Sequence, residues 1–395
     1  MVAPEPFFAL RGTPINVREM ARTLCDAGYE VHLATYGIGD QPAIEGLVLH
    51  RALSVPGVHH VPIGFSWKKL LMDALLALRV WGLLLGRRFD VVHTMEESVF
   101  FTMPVAKLSG VPVIYDMDSV LSDQLEDAGV LRADVLLRTA RAVERAAVRH
   151  ATLVITVCRA LTERAMRIRP RGRIVQIEDC PVGEVLRDPD TAAVEALRHR
   201  LGLCDARVAV YTGNLEPYQG VDLLLNAFPR VMDRCPDARL LIVGGEPDGI
   251  EAARSIAVAR SVGAQVHFAG KQPLSTMPEY MALADVLISP RRVGTNTPLK
   301  LFSYMYSGVP IIATDLLTHT QVLDHDTALL TPPTSRALGN AMTAVLKNPP
   351  AYRSLGRAAR ERVLRDYSPE AFARKLLRSY AMLLGERFRT VANSM

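Results

Sequence analysis

Residues 284–314 read ADVLISPRRVGTNTPLKLFSYMYSGVPIIAT, and this stretch is the most informative part of the chain. Its pattern predicts a buried strand over 284–288, a polar loop, a short helix over 298–306 and a second buried strand. A loop of small residues that enters a helix leaves backbone N–H groups unpaired at the positive end of that helix. Basic residues flank the loop, so it suits a phosphate or diphosphate, although an ordinary turn between a strand and a helix fits the same residues.

The composition is that of a globular protein with more than one domain. The chain has 395 residues, of which 49% are hydrophobic and 22% are charged, and this length suits two domains that each bury a core. A net charge of +5 permits attraction to an anionic substrate or to a membrane surface. We expect no nucleic-acid partner, because no aromatic and basic stretch typical of such binding occurs.

The five cysteines are scattered along the chain and lack the CxxC spacing of a zinc site. A dispersed, odd-numbered set argues against a disulfide framework and favours a cytoplasmic location. No basic segment precedes an apolar run at the N-terminus, so we expect no secretory signal. The first residues read as the end of a strand that could begin upstream of Met1.

Helical and extended patterns alternate throughout, which predicts two similar α/β halves with parallel sheets and a cleft between them. The apolar segment 67–88 has basic residues at both ends, and Asp73 and Arg79 interrupt it, so it is a poor transmembrane helix. It fits either a helix buried against the first sheet or a helix that lies on an anionic membrane. Both interpretations hold if one end of the helix is exposed.

Several segments occur in a set order and resemble those of the family 4 glycosyltransferases. They are residues 211–222 (YTGNLEPYQGVD), 243–247 (VGGEP), 266–271 (VHFAGK), the loop around Gly294, the N-terminal residues 4–14 and the Tyr-Ser-Pro at 367–369. The resemblance covers nearly the whole chain. It implies an α/β protein of the GT-B architecture, in which two Rossmann-like domains face each other across a cleft.

The resemblance also implies which substrate each domain binds. An acceptor-binding domain is expected over 1–183, a domain that binds the nucleotide sugar over 184–368, and a helix over 369–395 that packs near the hinge or on the N-terminal domain. The implied reaction is a retaining, metal-independent transfer from a nucleotide-diphosphate sugar. That sugar nucleotide is a substrate, and we expect neither a cofactor nor a metal.

A transfer of this kind must stabilise a departing diphosphate. Without a metal, backbone N–H groups, helix N-termini and basic side chains must supply the positive charge. The residues that we predict to bind the donor are Gly12, Asn214, Gln219, Gly244, Phe268, Arg291, Arg292, Gly294, Thr295, Asn296, Thr297, Lys300 and Ser303.

The chain departs from the common pattern of the family. Many members carry a pair of glutamates around the helix that follows the phosphate loop, and the matching positions here are Thr295 and Ser303. An arginine and a lysine that many members place against the diphosphate correspond to Asn214 and Gln219. The family's histidine in the N-terminal domain corresponds to Asp118, which is our candidate catalytic residue.

Two explanations of these departures compete. In one, the chain is a working enzyme of a divergent branch, and Arg291, Arg292 and Lys300 replace the lost charges. In the other, the site has decayed and the protein is a non-catalytic partner of another transferase. A nucleotide-sugar epimerase is a third alternative, since such enzymes also use two facing Rossmann-like domains. The sequence contains no motif of a nicotinamide enzyme, an NTPase or a zinc protease.

On the acceptor side, we predict contacts from His93, Glu96 and Glu97, which follow a strand. Either glutamate could act as a base, or both could simply favour the start of a helix, and a lone histidine is more often structural. The acceptor is expected to be a lipid-linked sugar, another cell-envelope glycan precursor or a small molecule, with attachment to a membrane surface left open. His319 and His325 are expected at the protein surface.

Overall fold

The computed structural model describes residues 1–9, 12–40, 43–55, 57–58, 66–120, 122–123, 134–181 and 183–385. The chain forms two compact units. The first consists of Met1–Asp179 together with the chain from Phe372 onward, and the second consists of Cys180–Ala371.

The first unit is built on parallel strands. They are β1 Val31–Thr35, β2 Leu47–Arg51, β3 Val92–Met95, β4 Val113–Met117, β5 Leu153–Thr156 and β6 Ile174–Gln176. β1 pairs with β2, and β3, β4, β5 and β6 are hydrogen-bonded in that order. Val2 forms a parallel bridge to both Ala34 and Thr94, so the first residues do take part in a sheet.

Helices cover this unit, which explains why its central strands are buried without alternation. The helices are α1 Gly12–Asp26, α2 Trp67–Gly86, α3 Ser98–Leu108, α4 Asp134–His150 and α5 Arg159–Ile168. β3, β4 and β5 are buried along their whole length. Their carboxyl ends are therefore fixed by a rigid core.

The second unit contains one six-stranded parallel sheet. Its strands are β7 Arg207–Thr212, β8 Ala238–Val243, β9 Val266–Gly270, β10 Val286–Ser289, β11 Ile311–Thr314 and β12 Leu329–Thr331. The order across the sheet is β12-β11-β10-β7-β8-β9, so the strand order reverses between β7 and β10. Loops separate at the carboxyl ends of the strands at such a reversal and leave a crevice there.

The helices of the second unit pack on both faces of its sheet. They are α6 Thr191–Arg200, α7 Val221–Met232, α8 Pro247–Ala259, α9 Met277–Ala282, α10 Lys300–Ser307, α11 Leu317–Thr320, α12 Ser335–Lys347 and α13 Arg353–Asp366. The buried face of α7 contributes Leu224, Leu225 and Phe228 to the core. The predicted arrangement of two α/β halves with parallel sheets is confirmed.

The last helix, α14 Pro369–Leu384, returns the chain to the first unit. The Tyr380 hydroxyl lies 2.8 Å from His93 Nδ1, and the Tyr380 ring meets the Tyr29 ring edge-on. Lys375 forms an ion pair with Glu178. Phe372, Leu376 and Leu377 are buried, so α14 is an integral part of the first unit. Residues 386–395 of the predicted helix lie outside the described residues.

Candidate active site

The loop between β10 and α10 lies at the carboxyl end of the second sheet, where the strand order reverses. Ligands of open α/β sheets bind at such positions. The neighbouring loop after β7 approaches it closely, because a Cβ atom on Gly220 would lie 2.0 Å from the Pro290 carbonyl oxygen. The structure thus brings Asn214, Gln219, Arg291 and Lys300 to one region.

Lys300 is the first residue of α10, and its ammonium group is shielded from solvent. Nζ lies 3.9 Å from the centre of the Tyr211 ring and, within the described part of the chain, has no hydrogen-bond partner. Burial, and then the charge of Arg291, lower the pKa of Lys300 well below its usual value. A buried cation without a counter-charge destabilises the free protein, so this position favours an anionic ligand.

Arg291 holds the loop in shape. Its Nη1 donates to the Asn296 carbonyl oxygen at 2.6 Å and to Thr318 Oγ1 at 2.7 Å, and its guanidinium lies 5.0 Å from the centre of the Tyr218 ring. Burial lowers the pKa of Arg291. Its buried Nε has no partner among the described residues, so this N–H is left for a ligand.

Arg292 differs from Lys300 in its exposure and in having a carboxylate partner. It is exposed, and its Nη1 lies 2.5 Å from Asp222 Oδ2, so a carboxylate already balances its charge. Gly294 and Thr295 are exposed, and Asn296 is half-buried. Thr297 is buried, with an Oγ1 atom that has no partner in the described chain. Donor contacts from these five residues remain predictions.

Two glycines leave space for a ligand beside Lys300. A Cβ atom on Gly213 would lie 3.0 Å from Lys300 Nζ, and one on Gly244 would lie 2.2 Å from the Gly213 carbonyl oxygen. Both glycines have positive φ, at 134° and 114°, which other residues rarely adopt. Backbone can therefore approach a ligand closely here, as the predicted contact at Gly244 requires.

The other predicted donor residues differ in how they are held. Gln219 is buried, and its Oε1 has no partner in the described regions, whereas the Asn214 carbonyl oxygen accepts from the Tyr211 hydroxyl at 2.6 Å. Phe268 is half-buried on β9, and Ser303 is half-buried in the first turn of α10. Gly12 belongs to the first unit, where it begins α1 with open space around a hypothetical Cβ atom.

Two residues of the second unit that hold the strands beside the site were not identified as such from the sequence. The Tyr304 hydroxyl accepts from the Thr212 N–H at 2.7 Å and fixes the end of β7. His319, which we expected at the surface, is fully buried, with Nε2 2.8 Å from Ser289 Oγ and Nδ1 2.7 Å from the Thr314 carbonyl oxygen. The expectation for His319 was therefore wrong, because the packing that places it against Ser289 on β10, 30 residues away, has no local signal in the sequence. His325 is exposed.

In the first unit, His93 makes structural contacts with both ring nitrogens. Nδ1 faces the Tyr380 hydroxyl, and Nε2 lies 3.2 Å from Asp116 Oδ2. Its side chain is 1% exposed, so neither nitrogen is open to a ligand in this structure. The structural interpretation of this lone histidine fits these contacts better than acceptor binding does.

The two predicted glutamates have unlike surroundings. Glu97 forms an ion pair with Lys69 of α2 at 2.5 Å. Glu96 has a φ of 48°, a region that residues other than glycine seldom occupy, and its Oε1 accepts from Ser119 Oγ at 3.3 Å. Burial, and then the charge of Glu97, raise the pKa of Glu96 to about 7. Of the two, Glu96 is the better placed to exchange a proton near neutral pH.

Asp118 lies among other carboxyl groups beyond the end of β4. Burial, followed by the charge of Asp116, raises the pKa of Asp118 well above its usual value. Burial and Asp116 also raise the pKa of Asp179 to about 7. A protonated Asp118 could donate a hydrogen bond, as a histidine at this position would.

Helix α2 presents an apolar stripe to solvent. Side chains that recur three or four positions apart are exposed, including Trp67 at 67%, Leu78 at 61% and Leu85 at 71%; Leu70, Leu71 and Trp81 are further exposed members. The opposite side buries Met72, Leu76, Val80 and Leu84. One side of the helix is therefore buried, as the first interpretation expected, and the other side leaves an apolar surface along its length; contact of that surface with a membrane stays a prediction. Among the described residues, no helix is long and apolar enough to span a membrane.

Two family descriptions match the chain, one in each unit. "Glycosyl transferase 4-like domain" matches residues 11–179, and "Glycosyl transferases group 1" matches residues 206–348. Together they cover most of the chain. The ranges follow the two compact units closely.

The chain is also similar to mycobacterial mannosyltransferases. It is 34% identical over 131 residues to the GDP-mannose-dependent alpha-(1-6)-phosphatidylinositol monomannoside mannosyltransferase of Mycolicibacterium smegmatis, which is 32% of this chain and 34% of that protein. It is 25% identical over 390 residues to the phosphatidyl-myo-inositol mannosyltransferase of Mycobacterium leprae, covering 96% and 95% of the two chains. The chain spans less than half of the relatives that it matches at 34% identity.

Solved structures show the same fold. Sucrose-phosphate synthase from Thermosynechococcus elongatus superposes with a TM-score of 0.77 at 23% identity, covering 94% of each chain. Anabaena HepE, crystallised with UDP and glucose, superposes with a TM-score of 0.75 at 16% identity, covering 95% of this chain and 98% of HepE. From the two family matches and this common architecture, the chain belongs to the group 1, GT4-like glycosyltransferases and has the GT-B fold.

Proposed function

We propose that this protein is a retaining glycosyltransferase that moves a hexose, with mannose favoured, from a nucleotide-diphosphate sugar to a hydroxyl group of a membrane lipid. The observation that carries the proposal is the shielded ammonium of Lys300 beside Gly213 and Gly244, which has no hydrogen-bond partner among the residues that the structure describes. The mycobacterial relatives support the choice of donor and acceptor, because their names specify GDP-mannose and phosphatidylinositol lipids.

On the donor side, the bond between the anomeric carbon and the phosphate oxygen breaks, and negative charge develops on the leaving diphosphate. Lys300 and the N–H groups at the start of α10 would stabilise that charge. Arg291 would keep the loop in place through Asn296 and Thr318. The acceptor oxygen attacks from the face that the diphosphate leaves, and its proton passes to a leaving phosphate oxygen, so no enzymatic nucleophile is needed.

On the acceptor side, Glu96 and Asp118 would contact the reacting sugar and hydroxyl. Of the two glutamates, Glu96 would orient the acceptor hydroxyl, since Glu97 is paired with Lys69. Asp118 in its protonated form would donate a hydrogen bond where most family members use a histidine. This replacement favours a working enzyme over a decayed one.

The exposed stripe of α2 supports a lipid acceptor. A bilayer can bury this apolar surface, and Lys68, Arg87 and Arg88 near its ends would face anionic headgroups. Lys69, in the first turn of α2, reaches Glu97 beside the acceptor residues. We therefore place the protein at the cytoplasmic surface of an anionic membrane.

The direct test is transfer of radiolabelled mannose from GDP-mannose to vesicles that contain phosphatidylinositol. We expect label in the lipid extract, no loss of transfer with EDTA, and at least a hundredfold lower rate for Lys300→Ala. Lys347→Ala, an exposed lysine on α12, is the matched control and should keep the rate.

Two other outcomes would identify the alternatives. An altered sugar nucleotide formed from the donor alone would indicate an epimerase. Absence of binding to any sugar nucleotide would indicate a non-catalytic partner subunit.

A further inference from the structure

Glycines at the ends of three neighbouring strands form a path of backbone that leads from Lys300 toward the far edge of the second sheet. Lys300 adjoins Gly213 at the end of β7, and Gly213 touches Gly244 at the end of β8. The Gly244 N–H donates to the Gly270 carbonyl oxygen at 2.7 Å, at the end of β9. Neighbouring strands lie about 4.8 Å apart, so the path from β7 to β9 spans roughly 10 Å. This distance suits a nucleoside diphosphate whose phosphates lie at Lys300.

An isolated ion pair marks the far end of this path. Lys271 follows Gly270 directly, and Glu246 follows Gly245 at the start of α8. Lys271 Nζ donates to Glu246 Oε1 at 2.5 Å, and the two side chains are 53% and 55% exposed. Exposed pairs contribute little to stability, so fold stabilisation does not explain why an acid and a base meet here.

The chemistry of this pair matches one nucleobase. Guanine presents the adjacent N1–H and N2–H donors beside the O6 acceptor, so a carboxylate and an ammonium side by side can satisfy all three. Uracil has a single N–H between two carbonyl oxygens, and adenine has no donor at N1. Neither of these bases can donate two hydrogen bonds to one carboxylate along that edge.

We propose that Glu246 and Lys271 read the base of the donor nucleotide and select guanine. This inference rests on the proposed function and adds the residues that determine nucleotide specificity. Glu246 accepts from N1–H and N2–H, and Lys271 donates to O6. The pair opens when the base enters between its charges.

Calorimetric titration of the full chain with GDP, inosine diphosphate, UDP and ADP tests this assignment. Inosine diphosphate keeps N1–H and O6 but lacks the N2 amino group. We expect GDP to bind about tenfold more tightly than inosine diphosphate, and UDP and ADP to bind more weakly still.

Two substitutions should leave different signatures. The affinity for GDP divided by that for inosine diphosphate should fall from about ten to about one in Glu246→Gln. A carboxylate offers two acceptor oxygens and an amide only one, so the N2 amino group of guanine loses its acceptor. Lys271→Met should weaken the binding of GDP and of inosine diphosphate by a similar factor, because both bases carry O6. The ratio of the two affinities should therefore stay unchanged. Glu251→Gln, an exposed change on the same helix, is the matched control and should leave all affinities unchanged.

The outcomes separate this inference from the proposed function. An unchanged ratio in Glu246→Gln, or UDP or ADP binding as tightly as GDP, would overturn the assignment of the base and leave the transferase proposal standing. No binding of any nucleotide would overturn both.

Discussion

At the scale of single residues, the binding role that we propose for Lys300 predicts an effect on the stability of the free protein. Its ammonium is shielded and has no counter-charge in the described chain, which destabilises the unliganded fold. We expect Lys300→Met to raise the free energy of unfolding by about 1–3 kcal/mol while removing the thermal shift that GDP produces. Thermal unfolding with and without GDP measures both effects, and Lys347→Met is the control. Lower stability in Lys300→Met would show that the ammonium has a structural partner.

At the same scale, the raised pKa of Glu96 predicts how the unfolding free energy depends on pH. Its pKa is about 7 in the folded chain against a usual value of 4.5, so the folded state holds a proton that the unfolded state has lost between these values. The stabilisation is therefore complete below about pH 4.5 and is lost as the pH rises through 7. Between pH 5 and pH 8, Glu96 should lower the unfolding free energy of the unmodified protein by about 2 kcal/mol. We expect Glu96→Gln to abolish this contribution. Equal pH slopes for Glu96→Gln and the control Glu251→Gln would contradict this.

At the scale of helices and strands, the sequence predicted elements with strong local signals. The apolar runs of β4, β5, β8 and β11 mark buried parallel strands, and these are found. β2 has a weaker signal in the sequence, because Leu47–Arg51 is only partly buried. α1 begins at Gly12 although Pro14 follows, because a proline in the first turn of a helix is compatible with it.

The site was less predictable than the elements, because its decisive contacts join distant residues. The loop after β10 could be located from its glycine and basic residues. The pairing of Arg292 with Asp222, and of Glu97 with Lys69, depends on how the elements pack. A local pattern contains no signal for such partners, and the same holds for the buried position of His319.

The element-scale prediction concerns α2. Leu78→Glu and Leu85→Glu should each weaken binding to vesicles of phosphatidylcholine and phosphatidylglycerol by about tenfold, because a charge replaces an apolar side chain that the bilayer would bury. Sedimentation with the vesicles measures this, and Val258→Glu, an exposed apolar position on α8, is the control. If these changes instead dissociate an oligomer and leave vesicle binding intact, the stripe is an interface between copies of the chain.

At the scale of the whole molecule, the path of the chain makes the first unit depend on both ends of the sequence. The chain leaves that unit at Asp179 and returns at Phe372, whereas the second unit is one continuous segment. The hydrogen bond between Tyr380 and His93 ties α14 to β3 in the middle of the first unit. Its loss should therefore affect that unit alone.

We expect Tyr380→Phe to destabilise the first unit by about 1 kcal/mol, since it leaves the buried His93 Nδ1 without its partner. Hydrogen exchange of the full chain should accelerate about fivefold for the amides of β3 and β4 and stay unchanged for those of β7 and β8. Tyr306→Phe in α10 keeps the ring that stacks on Arg360 and is the control in the second unit. Equal acceleration in both units would mean that the two open as one cooperative body, so that the C-terminal helix stabilises the entire protein rather than the first unit alone.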